Sequence, residues 1–197
     1  MKKKSTTNLN KIIFKTFIFI YLIFTLAYSN AMAYDENAYK VIKKNEIYEI
    51  RKYSDRVAVQ AMQDNQNSSF RKLFKYISGA NLSSEKIDMT TPVTQTKEQN
   101  KFFMQFYLPS KFNKKTTPIP TNSDVEIVTM PGGFYAVIQY SGRSTDKNFF
   151  KHSKILKDKL LEDKIEFIGH SIKATYNGPF TLPAFRRNEA MYNISWK

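Results

Sequence analysis

Cysteine is absent from this chain of 197 residues, which contains only six glycines, two histidines and one tryptophan. A protein without thiols forms no disulfide, no thiolate nucleophile, no iron–sulfur cluster and no lipid anchor on cysteine. Its stability must come from an apolar core, and a chain of this length can bury one. Apolar residues make up 42% of the sequence and aromatic residues 15%, which indicates a folded domain.

The sequence also lacks the short motifs of common catalytic and nucleotide-binding sites. It contains no G-x-S-x-G, no G-x-G-x-x-G and no P-loop. The two histidines, His152 and His170, are 18 residues apart and form no H-x-x-H pair. Ser153 follows His152 directly, and adjacent helical residues point apart, which does not suit a serine triad. We predict that the protein is not an enzyme and has no metal site, with His152 and His170 as the imidazole candidates for iron.

The first 33 residues differ from the rest of the chain. Five lysines precede residue 16, the 13 residues 16–28 carry no charge, and residues 31–33 read Ala-Met-Ala. This order is typical of a secretory signal peptide, and a membrane-spanning helix needs a longer run of roughly 20 residues. We expect cleavage after Ala33 and export to the periplasm or the extracellular space. The alternative is an uncleaved inner-membrane anchor through residues 12–28, with Lys15 reaching the interface.

Residues 34–197 form a single predicted domain. They include 26 basic and 17 acidic residues, a formal charge of +9 that is spread along the sequence. This charge fits either an ordinary soluble surface or attraction to anionic ligands and anionic membrane surfaces. We do not expect nucleic acid as a partner of an exported protein, and we predict a monomer.

One pattern occurs twice in this domain, with an offset of about 77 residues. Each copy begins with two strands joined by a short turn, which suggests a hairpin. The first pair lies near residues 49–50 and 57–60, and the second near residues 126–127 and 135–138. The second turn contains Gly132 and Gly133, which tolerate the backbone angles of tight turns.

A helix follows each pair of strands. In the first copy Phe70, Leu73, Phe74 and Ile77 recur at helical spacing, after a cap at Asn67 or Ser68 and before a stop at Gly79. In the second copy Thr145 or Asp146 is the predicted cap. The apolar face of the second helix contains the following residues: Phe149, Leu156 and Leu160, widened by Phe150 and Leu161.

Two more strand-like runs complete each copy. They cover residues 87–94 and 102–108 in the first copy, and residues 168–176 and 190–196 in the second. The repeated unit is therefore β-β-α-β-β, and stacking two units buries the face that neither buries alone. We predict an α+β fold with pseudo-two-fold symmetry, built as a distorted eight-stranded barrel or curved sheet with two helices.

Several segments, taken in order, resemble the SOUL haem-binding family. They are YEIRKY at 48–53, FRKLFKYISGAN at 70–81, KIDMTTPV at 86–93, FYLP at 106–109, PIP at 118–120 before VEI at 125–127, YNGP at 176–179 and RRNE at 186–189. The resemblance implies a barrel-like fold with two helices, and reversible binding of haem or another tetrapyrrole without an obligatory iron ligand. The fold also resembles effector-binding domains of bacterial regulators, so a non-haem amphipathic ligand is the alternative.

In the best-studied branch of that family the ligand lies in an apolar groove beside the first helix. The matching residues here are Phe70, Leu73, Phe74 and Lys75, and Arg71 is a further cation beside them. A flat ring with two propionates suits an apolar wall near cations, although packing on a sheet alone also requires such a stripe.

This chain departs from the family pattern at three places. Leu182 and Asn67 occupy positions where the family has basic residues. The histidine proposed as a ligand in another branch has no counterpart, because both histidines lie in the second half of the chain.

Overall fold

The computed structural model describes residues 35–36, 38–62, 66–98 and 101–197. The chain divides into two compact units, Met1–Tyr34 and Asp35–Lys197, and the described residues all belong to the second. The predicted signal peptide at residues 1–33 lies outside the described residues. Within the described residues, no helix has the length and apolar character needed to cross a membrane.

The described part of the chain consists mainly of strands, in three groups that are separated by two α-helices. The strands are β1 (Asp35–Glu36), β2 (Tyr39–Lys44), β3 (Glu49–Tyr53), β4 (Arg56–Met62), β5 (Thr90–Thr91), β6 (Val93–Glu98), β7 (Lys101–Tyr107), β8 (Val125–Met130), β9 (Gly133–Tyr140), β10 (Phe167–Thr175) and β11 (Asn188–Ile194). The helices are α1 (Gln66–Ile77) and α2 (Asp146–Glu162), and a 3-10 turn covers Pro183–Phe185.

Nine of these strands form one curled antiparallel sheet in the order β2-β3-β9-β11-β10-β6-β7-β4-β8, and β1 pairs with β5 separately. The pseudo-two-fold axis passes between β6 and β10, where Thr94 pairs with Ala174. On either side of this axis the strands match in order, β10-β11-β9-β3 against β6-β7-β4-β8. The predicted α+β fold and its eight-stranded symmetric sheet are therefore confirmed, and β2 adds a ninth strand at one edge.

The two predicted hairpins are wrong in their pairing. β3 pairs with β9, with Ile50 opposite Ala136, and β4 pairs with β8, with Val59 opposite Ile127. Each strand of a predicted hairpin thus finds its partner in the other copy of the repeat. A strand-turn-strand pattern in the sequence cannot identify this exchange, because a connection between strands does not require that they pair with each other.

The two connections that permit this exchange touch each other. The backbone N–H of Gly132, between β8 and β9, donates a hydrogen bond of 2.7 Å to the carboxylate of Asp55, between β3 and β4. A Cβ atom at Gly132 would lie 2.7 Å from the backbone oxygen of Tyr53. Glycine at this position is therefore required by the close approach of two backbones.

The helix ends are set by local hydrogen bonds. α1 ends at Ile77, and Gly79 follows two residues later with φ +111°. The Ala80 N–H donates to the Lys75 carbonyl at 3.0 Å, an arrangement that requires a left-handed residue between them. The predicted stop is confirmed. The predicted cap is wrong, because α1 begins at Gln66 and its first turn already contains Asn67 and Ser68.

α2 starts as expected, with one of the two proposed caps. The Thr145 side chain accepts a hydrogen bond from Asn148 N–H and occupies the cap position. Phe149, Leu156 and Leu160 are buried against the sheet, as predicted. Phe150 and Leu161 do not widen this face, because they are 60% and 58% exposed.

Both helices pack on the same face of the sheet. Side chains of directly paired residues point to one face, and one such row runs from the cluster under α1 to the cluster under α2. Its members are Ile127, Val59, Phe106, Val93, Thr175, Asn188 and Tyr140. α1 contributes Leu73, Tyr76 and Ile77 to its cluster, and β9 contributes Ala136 and Ile138 to that of α2.

We expect Gly132→Ala to lower the free energy of unfolding by about 1–3 kcal/mol, because the new methyl group overlaps the backbone of Tyr53 and Asp55. Urea unfolding followed by circular dichroism measures the change. Gly178→Ala is the matched control, because a Cβ atom there meets nothing within 4 Å. The control should stay within about 0.5 kcal/mol of the parent. Equal effects of the two substitutions would contradict the close approach.

Candidate functional site

An aromatic pair lies on the flank of α1 instead of in the core. The rings of Phe70 and Phe74 are nearly parallel, with centroids 6.1 Å apart and an interplanar angle of 11°. The two side chains are 40% and 48% exposed. Phe70 also meets Phe106 of β7 edge to face, with centroids 5.1 Å apart. The three rings form an apolar wall that is open to solvent on one side. We name the surface formed by Phe70, Phe74 and Phe106 the α1 groove.

The other apolar residues of the stripe lie beneath this wall. Leu73 is fully buried, and Ile77 is buried with it in the cluster between α1 and the sheet. The hydroxyl of Tyr76, a further residue of that cluster, donates to the Pro118 carbonyl at 2.7 Å. These contacts fix the rotation of the helix about its axis, and so hold Phe70 and Phe74 at the boundary with solvent.

The predicted cations of the site lie further round the same helix. Arg71 and Lys75 are exposed and, with Ser68, Lys72 and Asn122, line a cleft of about 330 Å³. Lys72 forms an ion pair of 2.9 Å with Asp124. Each residue turns the helix by about 100°, so Lys75 points away from Phe74 by that angle. Arg71 and Lys75 therefore lie on the solvent side of α1, in a cleft whose lining includes neither Phe70 nor Phe74.

The loop between β10 and β11 begins beside this groove in the sheet. Phe106 pairs with Val93, and Val93 pairs with Thr175, the last residue of β10. The loop then exposes three large apolar side chains, Phe180, Leu182 and Phe185, at 97%, 64% and 71%. Sequence reasoning identified Leu182 only as a missing cation. The signal for an exposed apolar loop was present, because residues 178–185 read GPFTLPAF, in which glycine and two prolines indicate a loop that also carries the apolar residues.

This loop has internal support. The guanidinium of Arg186 donates to the carbonyls of Thr181 and Pro179 at 2.8 and 2.6 Å. The backbone N–H of Gly142 donates to the Pro183 carbonyl at 2.8 Å, which ties the loop to the segment before α2. The exposed apolar residues are consequently presented by a hydrogen-bonded loop.

The opposite face of the sheet contains a buried ionic network. The Glu189 carboxylate is fully buried and accepts hydrogen bonds from Arg51 at 3.0 Å, Tyr176 at 2.7 Å and Arg187 at 2.8 Å. Burial, followed by the neighbouring charge of Glu189, raises the pKa of Tyr176 well above its usual range. Because both carboxylate oxygens have partners, this network is suited to a structural role.

The arginines of this network also stack on aromatic rings. The guanidinium of Arg51 lies 4.2 Å from the ring centroid of Tyr39, and that of Arg187 lies 3.8 Å from the centroid of Tyr176. Arg187 further pairs with Glu36 at 2.9 Å. Residues 186–189 therefore stabilise the loop through Arg186 and form the buried network through Arg187 and Glu189. Sequence reasoning missed the network because Arg51 and Glu36 are distant from these residues in the chain.

The two histidines lie apart. His152 stacks on Tyr140 with centroids 4.1 Å apart and an angle of 3°, and its Nδ1 lies 2.8 Å from the Asn148 carbonyl. His170 is exposed on β10. Among the described residues, no three His, Cys, Asp or Glu side chains are grouped as they would be around a metal ion.

The curled sheet carries two helices on one face, and its strands match in order on either side of the centre. These features define a duplicated α+β domain, and an aromatic groove that is open to solvent lies beside one helix. The family model described as SOUL heme-binding protein matches residues 34–193. The chain belongs to this family. No curated protein matches the chain.

Solved structures share the fold at low sequence identity. A hydrolase from Listeria innocua is 8% identical, with a TM-score of 0.55 over 78% of this chain and 94% of that one. The C-terminal domain of EcmrR is 11% identical, with a TM-score of 0.56 over 80% of this chain and 98% of that one. At such identities these similarities concern the fold alone.

Replacing Glu189 with leucine should lower the free energy of unfolding by about 3 kcal/mol, because Arg51 and Arg187 lose a buried partner. The cost stays at the lower end for a buried ion pair because Glu49 and Glu36 remain beside these arginines. Asp158→Ala, which breaks only the exposed pair with Lys154, should cost less than about 0.5 kcal/mol. Chemical unfolding compares the two, and a Glu189→Leu protein as stable as the parent would contradict the structural role.

Proposed function

We propose that this protein reversibly binds haem or a related tetrapyrrole in the α1 groove. The observation that carries the proposal is the exposure of Phe70 and Phe74, at 40% and 48%, within a stripe whose other members are buried. Two parallel aromatic rings that face solvent retain apolar surface that a flat ring system covers on binding. The family membership of the chain supports the same ligand class.

The charges beside the groove suit the rest of such a ligand. A tetrapyrrole carries two carboxylates on one edge of an apolar disc, and Arg71 and Lys75 are exposed on the solvent side of α1. Hydrogen bonds between a cation and a carboxylate are among the stronger ones in proteins. Phe70 and Phe74 would therefore contact the ring, and Lys75 and Arg71 the carboxylates, while the buried Leu73 supports the wall from beneath.

The proposal requires no protein ligand to iron. A bound haem would supply a redox-active iron with its own coordination chemistry. The Nδ1 atom of His152 is within hydrogen-bond distance of the Asn148 carbonyl, and its ring stacks on Tyr140. These contacts hold the side chain against α2. Binding through the ring face and the carboxylates explains reversibility, because no metal–protein bond must break on release.

We further propose that the protein acts in the cell envelope as a ligand-binding protein without catalysis. The support for this location is the pattern of residues 1–33, with its lysines, its apolar run and its small residues before residue 34. A tetrapyrrole carrier in this compartment needs no disulfide to be stable, because the domain buries three apolar clusters.

Haemin titrated into the full chain should give a saturable shift of the Soret band. We expect one-to-one binding with a Kd below about 10 μM, which corresponds to about −7 kcal/mol. The double variant Phe74→Ala, Lys75→Glu should bind at least about tenfold more weakly, a loss of about 1.4 kcal/mol. It removes one ring of the wall and reverses one charge.

The control for this titration is Leu161→Ala with Lys151→Glu, which removes the same kinds of side chain from the exposed side of α2. This control should bind haemin as the parent does. Absence of saturable binding in the parent contradicts the proposed function, and equal weakening of both double variants contradicts the assignment to the α1 groove.

Membrane-surface binding is a second candidate function, and the exposed loop between β10 and β11 favours it. Phe180, Leu182 and Phe185 present apolar side chains from a hydrogen-bonded loop. Aromatic and aliphatic side chains of this kind insert at the boundary between headgroups and acyl chains. The formal charge of +9 on residues 34–197 would add attraction to anionic lipid.

For this candidate, we expect residues 34–197 to float with vesicles that contain phosphatidylglycerol at low salt. Phe180→Ser with Phe185→Ser should reduce the apparent partition coefficient about tenfold, which corresponds to about 1.4 kcal/mol. Leu161→Ser with Ile168→Ser is the control, because these exposed apolar residues lie outside the loop. A parent protein that fails to float, or a control that loses as much binding as the loop variant, would dismiss the candidate.

A further inference from the structure

A cleft lies beside the N-terminal turn of α2, against the centre of the sheet. Its volume is about 480 Å³, within the usual range of small-molecule sites. The lining residues come from β6, β7, α2 and β10, and are Gln95, Thr96, Lys97, Phe102, Asp146, Phe149, Phe150, His170, Ser171 and Lys173. Neither the sequence motifs nor the family resemblance points to this cleft.

The cleft lies beside α2, which follows the second pair of strands as α1 follows the first. Phe150 is the fifth residue of α2, as Phe70 is the fifth residue of α1, and both rings are exposed. Each helix therefore presents an exposed aromatic ring near its N-terminal end, with different polar residues beside it.

Apolar rings form two sides of the cleft. Phe150 of α2 is 60% exposed and Phe102 of β7 is 49% exposed, while Phe149 behind them is buried. Two exposed phenylalanines at the mouth of a cavity leave apolar area that a flat aromatic ligand covers on binding. The shape and the composition of the wall thus favour an aromatic ring system.

The base of the cleft contains a buried cation. Lys173 is 3% exposed, and its ammonium donates to the Asp146 carboxylate at 2.8 Å. The Asp146 side chain is 74% exposed, so its charge is largely hydrated, whereas that of Lys173 is not. An ammonium has three donors, and a ligand carboxylate in the cleft can accept from the same nitrogen.

A second cation stands at the mouth. The ammonium of Lys97 lies 5.5 Å from the ring centroid of Phe102, and His170 lines the opposite strand. The residues that line the cleft include two lysines but only one carboxylate, that of Asp146. The charge of the cleft is therefore complementary to an anion.

We propose that this cleft is a second binding site, for a small aromatic carboxylate whose ring system lies between Phe102 and Phe150. Its carboxylate would lie within reach of Lys173 and Lys97. The site is independent of the α1 groove, because it shares no lining residue with that groove and uses a different helix.

The test uses the full chain and two probes with the same ring system, 1-pyrenebutyrate and 1-pyrenebutanol. Fluorescence titration should show saturable binding of the carboxylate, at least about tenfold tighter than that of the alcohol. Phe150→Ala and Lys97→Met should each weaken binding of the carboxylate about tenfold. Leu161→Ala and Lys101→Met, at exposed positions outside the cleft, should leave the affinity unchanged.

Three results would overturn the second site. They are absence of saturable binding, equal affinity for the two probes, and loss of binding in Phe74→Ala, Lys75→Glu while Phe150→Ala binds normally. The last result would place the probe in the α1 groove. The haemin titration concerns different residues and a different ligand. Its result therefore tests the proposed function and does not decide whether the second site exists.

Discussion

The exchange of strands between the two copies of the repeat is the constraint on which the rest of the structure depends. β3 pairs with β9 and β4 pairs with β8, so neither copy contains a complete sheet of its own. The exchange brings the β3–β4 connection into contact with the β8–β9 connection, and Gly132 permits this close approach because it has no side chain. Because the pairing is reciprocal, the strands match in order on either side of the β6–β10 pair, and both helices pack on one face of the sheet.

The two faces of the sheet differ in what they offer to a ligand. The face opposite the helices is closed by the network around Glu189, in which cations, carboxylates and tyrosine hydroxyls already have partners. A ligand there would have to replace buried charge-assisted hydrogen bonds, which is costly. The helix face has exposed rings and lysines along its clefts. Each helix covers only part of the curved sheet, and the phenylalanines at the side of each helix remain exposed to solvent.

Local sequence patterns predicted the helices, most strands and the duplication, because apolar periodicity is a local property. They did not predict that Phe70 and Phe74 would be exposed while Tyr76 is buried, because the rotation of α1 depends on contacts with Pro118 and the sheet. The extra strand β2 also escaped prediction. Its sequence, YKVIKK, alternates poorly and is rich in lysine, which is typical of an edge strand that must not recruit a further strand.

The geometry of the α1 groove limits how tightly it can hold a ligand. A phenylalanine presents roughly 200 Å², so the exposed fractions of Phe70 and Phe74 leave about 180 Å² in total for a ligand to cover. At about 25 cal/mol per Å² this contributes about 4 kcal/mol, and the matching ligand face contributes a similar amount. Association itself costs at least about 4 kcal/mol. If the α1 groove binds a planar ligand as proposed, the open aromatic wall would therefore need help from Arg71 and Lys75 to hold it. Binding of this modest strength would be reversible, which fits the proposed role of a carrier better than that of a protein that retains its cofactor.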